Sequence, residues 1–112
     1  MRPKILAVVP ARAGSKRLPQ KNIKLLNGKP LIAHTFDEIQ KSKYITTTVA
    51  TSDCSKVIKI SKQYANTYSL LRPKELASDT ASSVDVLLHA VEYAEQFGSF
   101  DIICLLSFIL SF

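Results

Sequence analysis

The sequence predicts an α/β fold, a mostly parallel sheet with flanking helices. Three observations carry this expectation. Short apolar runs rich in Val, Ile and Thr recur along the chain, as buried strands do. Between them lie segments whose apolar residues return at helical spacing, each long enough for a right-handed crossover between parallel strands. Gly, Pro, Asn, Asp and Ser cluster at the joints. The totals agree: 112 residues suit one small domain, an apolar share of 46% can fill its core, and a charged share of 21% is too ordinary for disorder.

The first strand is Lys4 to Val9, ended by Pro10. Residues 11 to 22 hold Gly14, Ser15 and Pro19 among basic residues and read as a loop. Pro30 opens a helix running to about Lys41, with Ile32, Phe36 and Ile39 as its apolar stripe. Ile45 to Thr51 is the second strand. Asp53 or Ser55 is placed to cap a helix over residues 55 to 66, with Val57, Ile60 and Tyr64 at helical spacing. A third strand covers Thr67 to Leu71, and residues 72 to 81 form a polar loop containing Pro73. Ser82 or Ser83 starts a helix reaching about Phe97, with Val84, Leu87, Leu88 and Val91 marking its buried face. Phe100 to Leu106 is the fourth strand.

This order is Rossmann-like. In such sheets ligands sit beyond the carboxyl ends of the strands, so the 11–22 and 72–83 loops fall on the functional edge. His34 and His89 lie within helices without a partner at metal-ligand spacing. Cys54 and Cys104 form no CxxC pair and are expected to be reduced thiols. No run of about 20 apolar residues is present, so no membrane-spanning helix is expected. The apolar start breaks at Pro10 without a cleavage site, and a cytoplasmic protein is the expectation.

The net charge of +6 is unevenly spread: Arg2, Lys4, Arg12, Lys16, Arg17, Lys21, Lys24 and Lys29 all precede the first acidic residue, Asp37. Such a segment suits an anionic partner: nucleic acid, a nucleoside triphosphate or an acidic membrane surface. Charge alone does not choose among them. A nucleic-acid module would be expected to interleave aromatics with the basic residues, which this segment does not.

The loop Pro10-Ala11-Arg12-Ala13-Gly14-Ser15-Lys16-Arg17-Leu18-Pro19-Gln20-Lys21-Asn22 carries chemistry suited to phosphates. Gly14 permits a tight turn and close approach, backbone N–H groups can form an anion nest, and Ser15 adds a donor. Arg12 can grip phosphate oxygens with its fork, Lys21 brings a point charge, and Asn22 can donate to a ribose or phosphate oxygen. It is not a Walker A loop, because the GxxxxGK[ST] spacing is absent.

The segment resembles the opening signature of the acylneuraminate cytidylyltransferases, PARxGSKxxPxKN, with Ala13 in place of a glycine. Asn27-Gly28-Lys29-Pro30-Leu31-Ile32 is similar to the family's GKPLI, and Thr51-Ser52-Asp53 to its STD. Arg72-Pro73-Lys74-Glu75-Leu76-Ala77-Ser78-Asp79-Thr80-Ala81-Ser82-Ser83 resembles RPxELAxDxASS, the form found in sialic and legionaminic types. The likeness covers about residues 4 to 106.

The resemblance implies a nucleotide-diphospho-sugar transferase type of fold. It also implies a reaction joining CTP to the anomeric hydroxyl of a nonulosonic acid, with release of pyrophosphate. Arg12 and Lys21 would neutralise the triphosphate as catalytic groups. Gly14, Ser15, Asn22, Arg72 and Ser82 would complete the nucleotide site. Asp79, Ser83 and Glu75 read more simply as loop-ordering, capping and solvated residues. Magnesium is implied as cofactor, with its aspartate ligands in a part of the family's sequence that has no counterpart here. Family members are dimeric. Pseudaminic and 3-deoxy-octulosonic acids are alternative substrates.

After residue 106 the likeness stops, at Ser107 where the family has glutamine. The expectation is therefore the truncated front part of such a domain, residues 1–106, followed by an aberrant apolar tail, 107–112, inactive alone and prone to aggregate.

Overall fold

The computed structural model describes residues 3–11, 25–73 and 83–106. Four parallel strands form its sheet: β1 (Ile5–Ala11), β4 (Ile45–Ser52), β5 (Thr67–Leu71) and β6 (Ile102–Leu105), in the spatial order β5-β4-β1-β6. A small antiparallel hairpin, β2 (Leu25–Leu26) and β3 (Lys29–Pro30), precedes helix α1 (Leu31–Lys41). Helices α2 (Ser55–Ser61) and α3 (Ser83–Glu95) follow β4 and β5. The α/β expectation holds, strand by strand.

Side chains alternate across each strand and so build two cores. On one face Ala7, Val9, Ala11 and Ala50 meet Ile32, Phe36 and Ile39 of α1 and Val57 of α2. On the other, Leu6, Val8 and Val49 meet Ala90 and Ala94 of α3. With α1 and α2 on one face and α3 on the other, the winding direction reverses between β1 and β6. Ligands favour the crevice beyond the carboxyl ends of strands at such a reversal.

Several local expectations are corrected. β1 runs through Pro10 to Ala11 instead of ending at Val9. The carbonyls of Lys4 and Val8 accept from Ile102 and Leu106, so even-numbered residues turn their backbone toward β6. Pro10 is next in that series but lies past Val8, the last residue paired with β6, so its missing N–H removes no ladder bond. Helix α2 stops at Ser61, not 66. Its N-cap position is Cys54, not Asp53 or Ser55, and Cys54 makes no side-chain cap bond. Ser52 Oγ instead accepts from the Cys54 N–H at 3.0 Å.

The buried face of α3 is the expected one in part: Leu87 and Val91 pack against the core. Val84 and Leu88 are 61% and 58% exposed, while Val86, Ala90 and Ala94 are buried. The small alanines let the helix backbone approach the sheet closely. Below them Tyr68, Tyr93 and Phe97 form an aromatic cluster, with Tyr68 and Phe97 stacked at 4.2 Å between centroids.

One ladder irregularity is repaired by a side chain. The register of β1 against β4 shifts between Ile5 and Leu6. There Thr46 Oγ1 accepts from the Ile5 N–H at 3.1 Å and donates to the Ile5 carbonyl at 2.9 Å. Both backbone groups of Ile5 on that side are thus satisfied.

Candidate functional site

The carboxyl edge of the sheet is organised by Arg72. It follows β5 directly, and its N–H donates to the Ser52 carbonyl at 2.8 Å, extending the β4–β5 ladder by one bond. Its side chain is turned inward, leaving the residue only 6% exposed. Nη2 donates to the carbonyl of Ala11 at 2.7 Å and to that of Thr51 at 3.1 Å. These carbonyls belong to neighbouring strands, so the guanidinium ties the ends of β1 and β4 together where their mutual ladder closes. It also puts a fixed positive charge at the point where the chain leaves β1 and the basic segment begins.

Thr51 lies in register with Pro10 of β1 and Leu70 of β5. It is fully buried, and its Oγ1 has no hydrogen-bond partner among the described residues. His89 Nδ1 is likewise buried without a partner among them.

The basic segment ends in the β2–β3 hairpin. Its turn, Asn27-Gly28, has both residues at positive φ, 55° and 78°, as a primed two-residue turn requires. The sequence reading missed this hairpin; the Asn-Gly pair is the signal that could have found it, since its two-residue strands are too short to show alternation. Two polar contacts bind the hairpin to α1. His34 Nε2 donates to the Leu26 carbonyl at 2.8 Å, and Lys29 Nζ pairs with Asp37.

The hydrogen bond from Lys29 holds the Asp37 carboxyl below its ordinary value, with help from the Tyr64 hydroxyl. The same bond raises the Lys29 ammonium. Burial, reinforced by Asp37, pushes the Tyr64 phenol up. Tyr64 also packs on Phe36 at 5.1 Å between ring centroids and donates to the Ala33 carbonyl at 3.3 Å. The hairpin contact is therefore continuous with the core.

Of the expected site residues, Arg72 lies on the carboxyl edge, though with Nη2 engaged by strand ends. Arg12, Gly14, Ser15, Lys21, Asn22 and Ser82 lie outside the described residues, as do Asp79 and Glu75. The chain leaves β1 at Ala11 and enters α3 at Ser83, so both expected loops attach to elements of this sheet. Sequence reasoning missed Thr51 as a buried polar group and missed the Lys29, His34 and Asp37 contacts. Cys54 and Cys104 are free thiols, as expected.

Among the described residues no group of three or more His, Cys, Asp or Glu is placed to hold a metal ion. No described helix is long and apolar enough to cross a membrane.

Comparison with known proteins agrees with this architecture. A family model described as cytidylyltransferase matches residues 6–104. The chain is 41% identical over 99 residues to a CMP-N,N'-diacetyllegionaminic acid synthase of Legionella pneumophila, covering 88% of this chain and 41% of that protein. It is 40% identical over 100 residues to an N-acylneuraminate cytidylyltransferase of Escherichia coli, covering 89% and 24%. A pseudaminic acid cytidylyltransferase of Campylobacter jejuni is 36% identical over 104 residues, covering 92% and 45%. The chain thus spans less than half the length of these relatives. Among solved structures, a CMP:2-keto-3-deoxy-manno-octonic acid synthetase complexed with CTP superposes with a TM-score of 0.72 at 26% identity, over 93% of this chain and 39% of that one.

Proposed function

The chain belongs to the cytidylyltransferase family, and from that premise we propose that its carboxyl edge binds CTP for transfer of a cytidylyl group to a sugar acid of the nonulosonic class. The observation that carries the reading is the Arg72 clamp. It fixes the exit of β1, and with it the start of the Arg12–Asn22 segment, at the winding reversal of a parallel sheet. A triphosphate there meets concentrated positive charge, and backbone N–H groups are well suited to hold its oxygens.

In this reading Arg12 and Lys21 neutralise the triphosphate as charge builds on the departing pyrophosphate. Gly14 and Ser15 line the turn against it. Asn22 and Ser82 orient cytidine or its ribose, while Arg72 holds the strand ends beside them. The sugar's anomeric hydroxyl attacks the α-phosphorus in line, the bond to the bridging oxygen of pyrophosphate breaks, and CMP-sugar and pyrophosphate result. Positioning and charge neutralisation supply the rate enhancement for such a transfer. The similarity to a legionaminic acid synthase and the RPxELAxDxASS form favour a sialic or legionaminic type of acid over a pseudaminic or 3-deoxy-octulosonic one.

Calorimetric titration with CTP, ATP and single-stranded RNA tests the nucleotide part. Binding of CTP in preference to ATP, lost in Arg12→Ala, is the expected result. Salt-sensitive RNA binding without preference for CTP would favour a nucleic-acid module and overturn the reading. Titrating legionaminic and pseudaminic acids into the CTP-loaded protein tests the sugar preference.

A further inference from the structure

Among the described residues no strand lies beyond β6, which forms one edge of the sheet. The N–H groups of Ile102 and Leu106 donate toward β1, to the carbonyls of Lys4 and Val8. Backbone groups alternate along a strand, so Ile103 and Leu105 turn their N–H and C=O outward. Both faces of the strand are open as well. Ile103 and Leu105 are in register with Leu6 and Val8, on the face where α3 packs, yet they are 42% and 40% exposed. Ile102, on the opposite face, is 45% exposed. Helix α3 adds to this surface. Tyr93 and Phe97 turn toward Tyr68 on β5, so the other flank of the helix, with the exposed Val84 and Leu88, turns toward the β6 side. Parallel strands are ordinarily covered on both faces, and edges are ordinarily blunted by charge, proline or a bulge. The run Ile102-Ile103-Cys104-Leu105-Leu106 has no charge and no proline, and its pairing with β1 is regular.

We propose that β6 pairs antiparallel with β6 of a second copy of this chain, across a two-fold axis at Cys104. Only a strand satisfies the outward backbone groups, and this strand is its own complement. With the axis at Cys104, Ile103 of one copy faces Leu105 of the other. Each such pair exchanges two hydrogen bonds. The α3 faces of the two copies then lie on the same side of one continuous sheet, and their apolar surfaces merge. The pairing uses up the open β6 edge of both copies, so it closes at a dimer. The contact is smaller than the roughly 800 Å² per partner of a standard interface, so dimer and monomer exchange. The net charge of +6 opposes association, most strongly at low salt. The inference is independent of the CTP reading.

Sedimentation equilibrium of the whole chain under reducing conditions is expected to show monomer at about 1 μM and dimer at about 100 μM. Ile103→Lys and Leu88→Lys, both at exposed positions, should each weaken dimerisation at least about tenfold. Leu71→Lys, exposed on the far edge strand β5, should change it less than about twofold. Raising salt from about 0.05 to about 0.5 M should tighten the dimer, because the opposing charges are screened while the apolar contact is not. In the antiparallel pair the two Cys104 residues stand opposite each other with Cα atoms about 4.5 Å apart, within disulfide reach. Diamide should therefore cross-link the Cys54→Ser chain and not the Cys104→Ser chain. A chain that stays monomeric up to about 500 μM overturns the proposal. So does a dimer weakened equally by Leu71→Lys, a dimer dissociated by salt, cross-linking through Cys54 alone, or open-ended growth past the dimer.

Discussion

Arg72 and Ala11, 61 residues apart in sequence, are joined by a buried hydrogen bond of 2.7 Å from the guanidinium to the last carbonyl of β1. The same Nη2 reaches Thr51 on β4. A charged donor serving two strand-end carbonyls out of water is worth more than a surface contact, because losing it strands both acceptors. Arg72→Ala is therefore expected to destabilise the fold by roughly 2–4 kcal/mol, measured by urea denaturation. Arg72→Lys should recover less than half, since a single ammonium cannot reproduce the fork. A loss below about 0.5 kcal/mol for the alanine variant would show that the clamp contributes nothing to stability.

Arg72 also shows what the sequence could and could not display. A basic residue in a loop at the ligand edge reads naturally as ligand-facing, and its partners at positions 11 and 51 are invisible without the fold. The strands were legible because parallel strands buried on both faces are continuous apolar runs, as in Ile5–Val9. The face of α3 was legible only in part: Leu87 and Val91 do pack on the core, but elsewhere size was taken for burial. Val84 and Leu88 look like core residues, but close approach to the sheet selects Ala90 and Ala94. The anchoring contacts of the hairpin escaped because hydrophobic periodicity carries no information about ion pairs. The Arg12–Asn22 motif was read from local spacing and lies outside the described residues.

The Thr51 hydroxyl gives a prediction of opposite sign. It is fully buried and unpartnered among the described residues, a state that costs about 1–3 kcal/mol relative to a satisfied group. Valine has nearly the same shape and no polar atom. Thr51→Val is expected to leave stability unchanged or to raise it by about 1 kcal/mol, read as a shift in denaturant midpoint at constant slope. A loss greater than about 1 kcal/mol would mean that water or residues 12–24 or 74–82 satisfy the hydroxyl.

Gly28 isolates backbone strain from packing. Its φ is +78°, and a Cβ built there would meet nothing within 4 Å. Gly28→Ala therefore changes conformational energy alone, with an expected cost of about 1 kcal/mol. Asn27→Gly should be close to neutral, because glycine accepts the φ of 55° that asparagine tolerates. Amide exchange of the hairpin in the two variants checks both. A Gly28→Ala protein with unaltered protection would argue against the primed turn.

The Lys29–Asp37 pair should act across the whole neutral range, and the direction of each shift fixes its limits. Asp37 titrates below its ordinary value of 3.8, so its contribution is present above that value and fades as pH falls through the lower folded one. Lys29 titrates above 10.5, so its contribution is present below that value and fades as pH rises through the higher folded one. Asp37→Asn should therefore lower the melting temperature to the same small extent at about pH 5 and pH 9, by no more than about 3 °C for a partly exposed pair. The difference from wild type should shrink in acid, as pH falls through the lowered folded value and the native carboxyl protonates, and in high salt, where the ions are screened. A variant whose deficit persists undiminished in acid would place the effect in the hydrogen bond to Tyr64 or in packing against it, and not in the charge on Asp37.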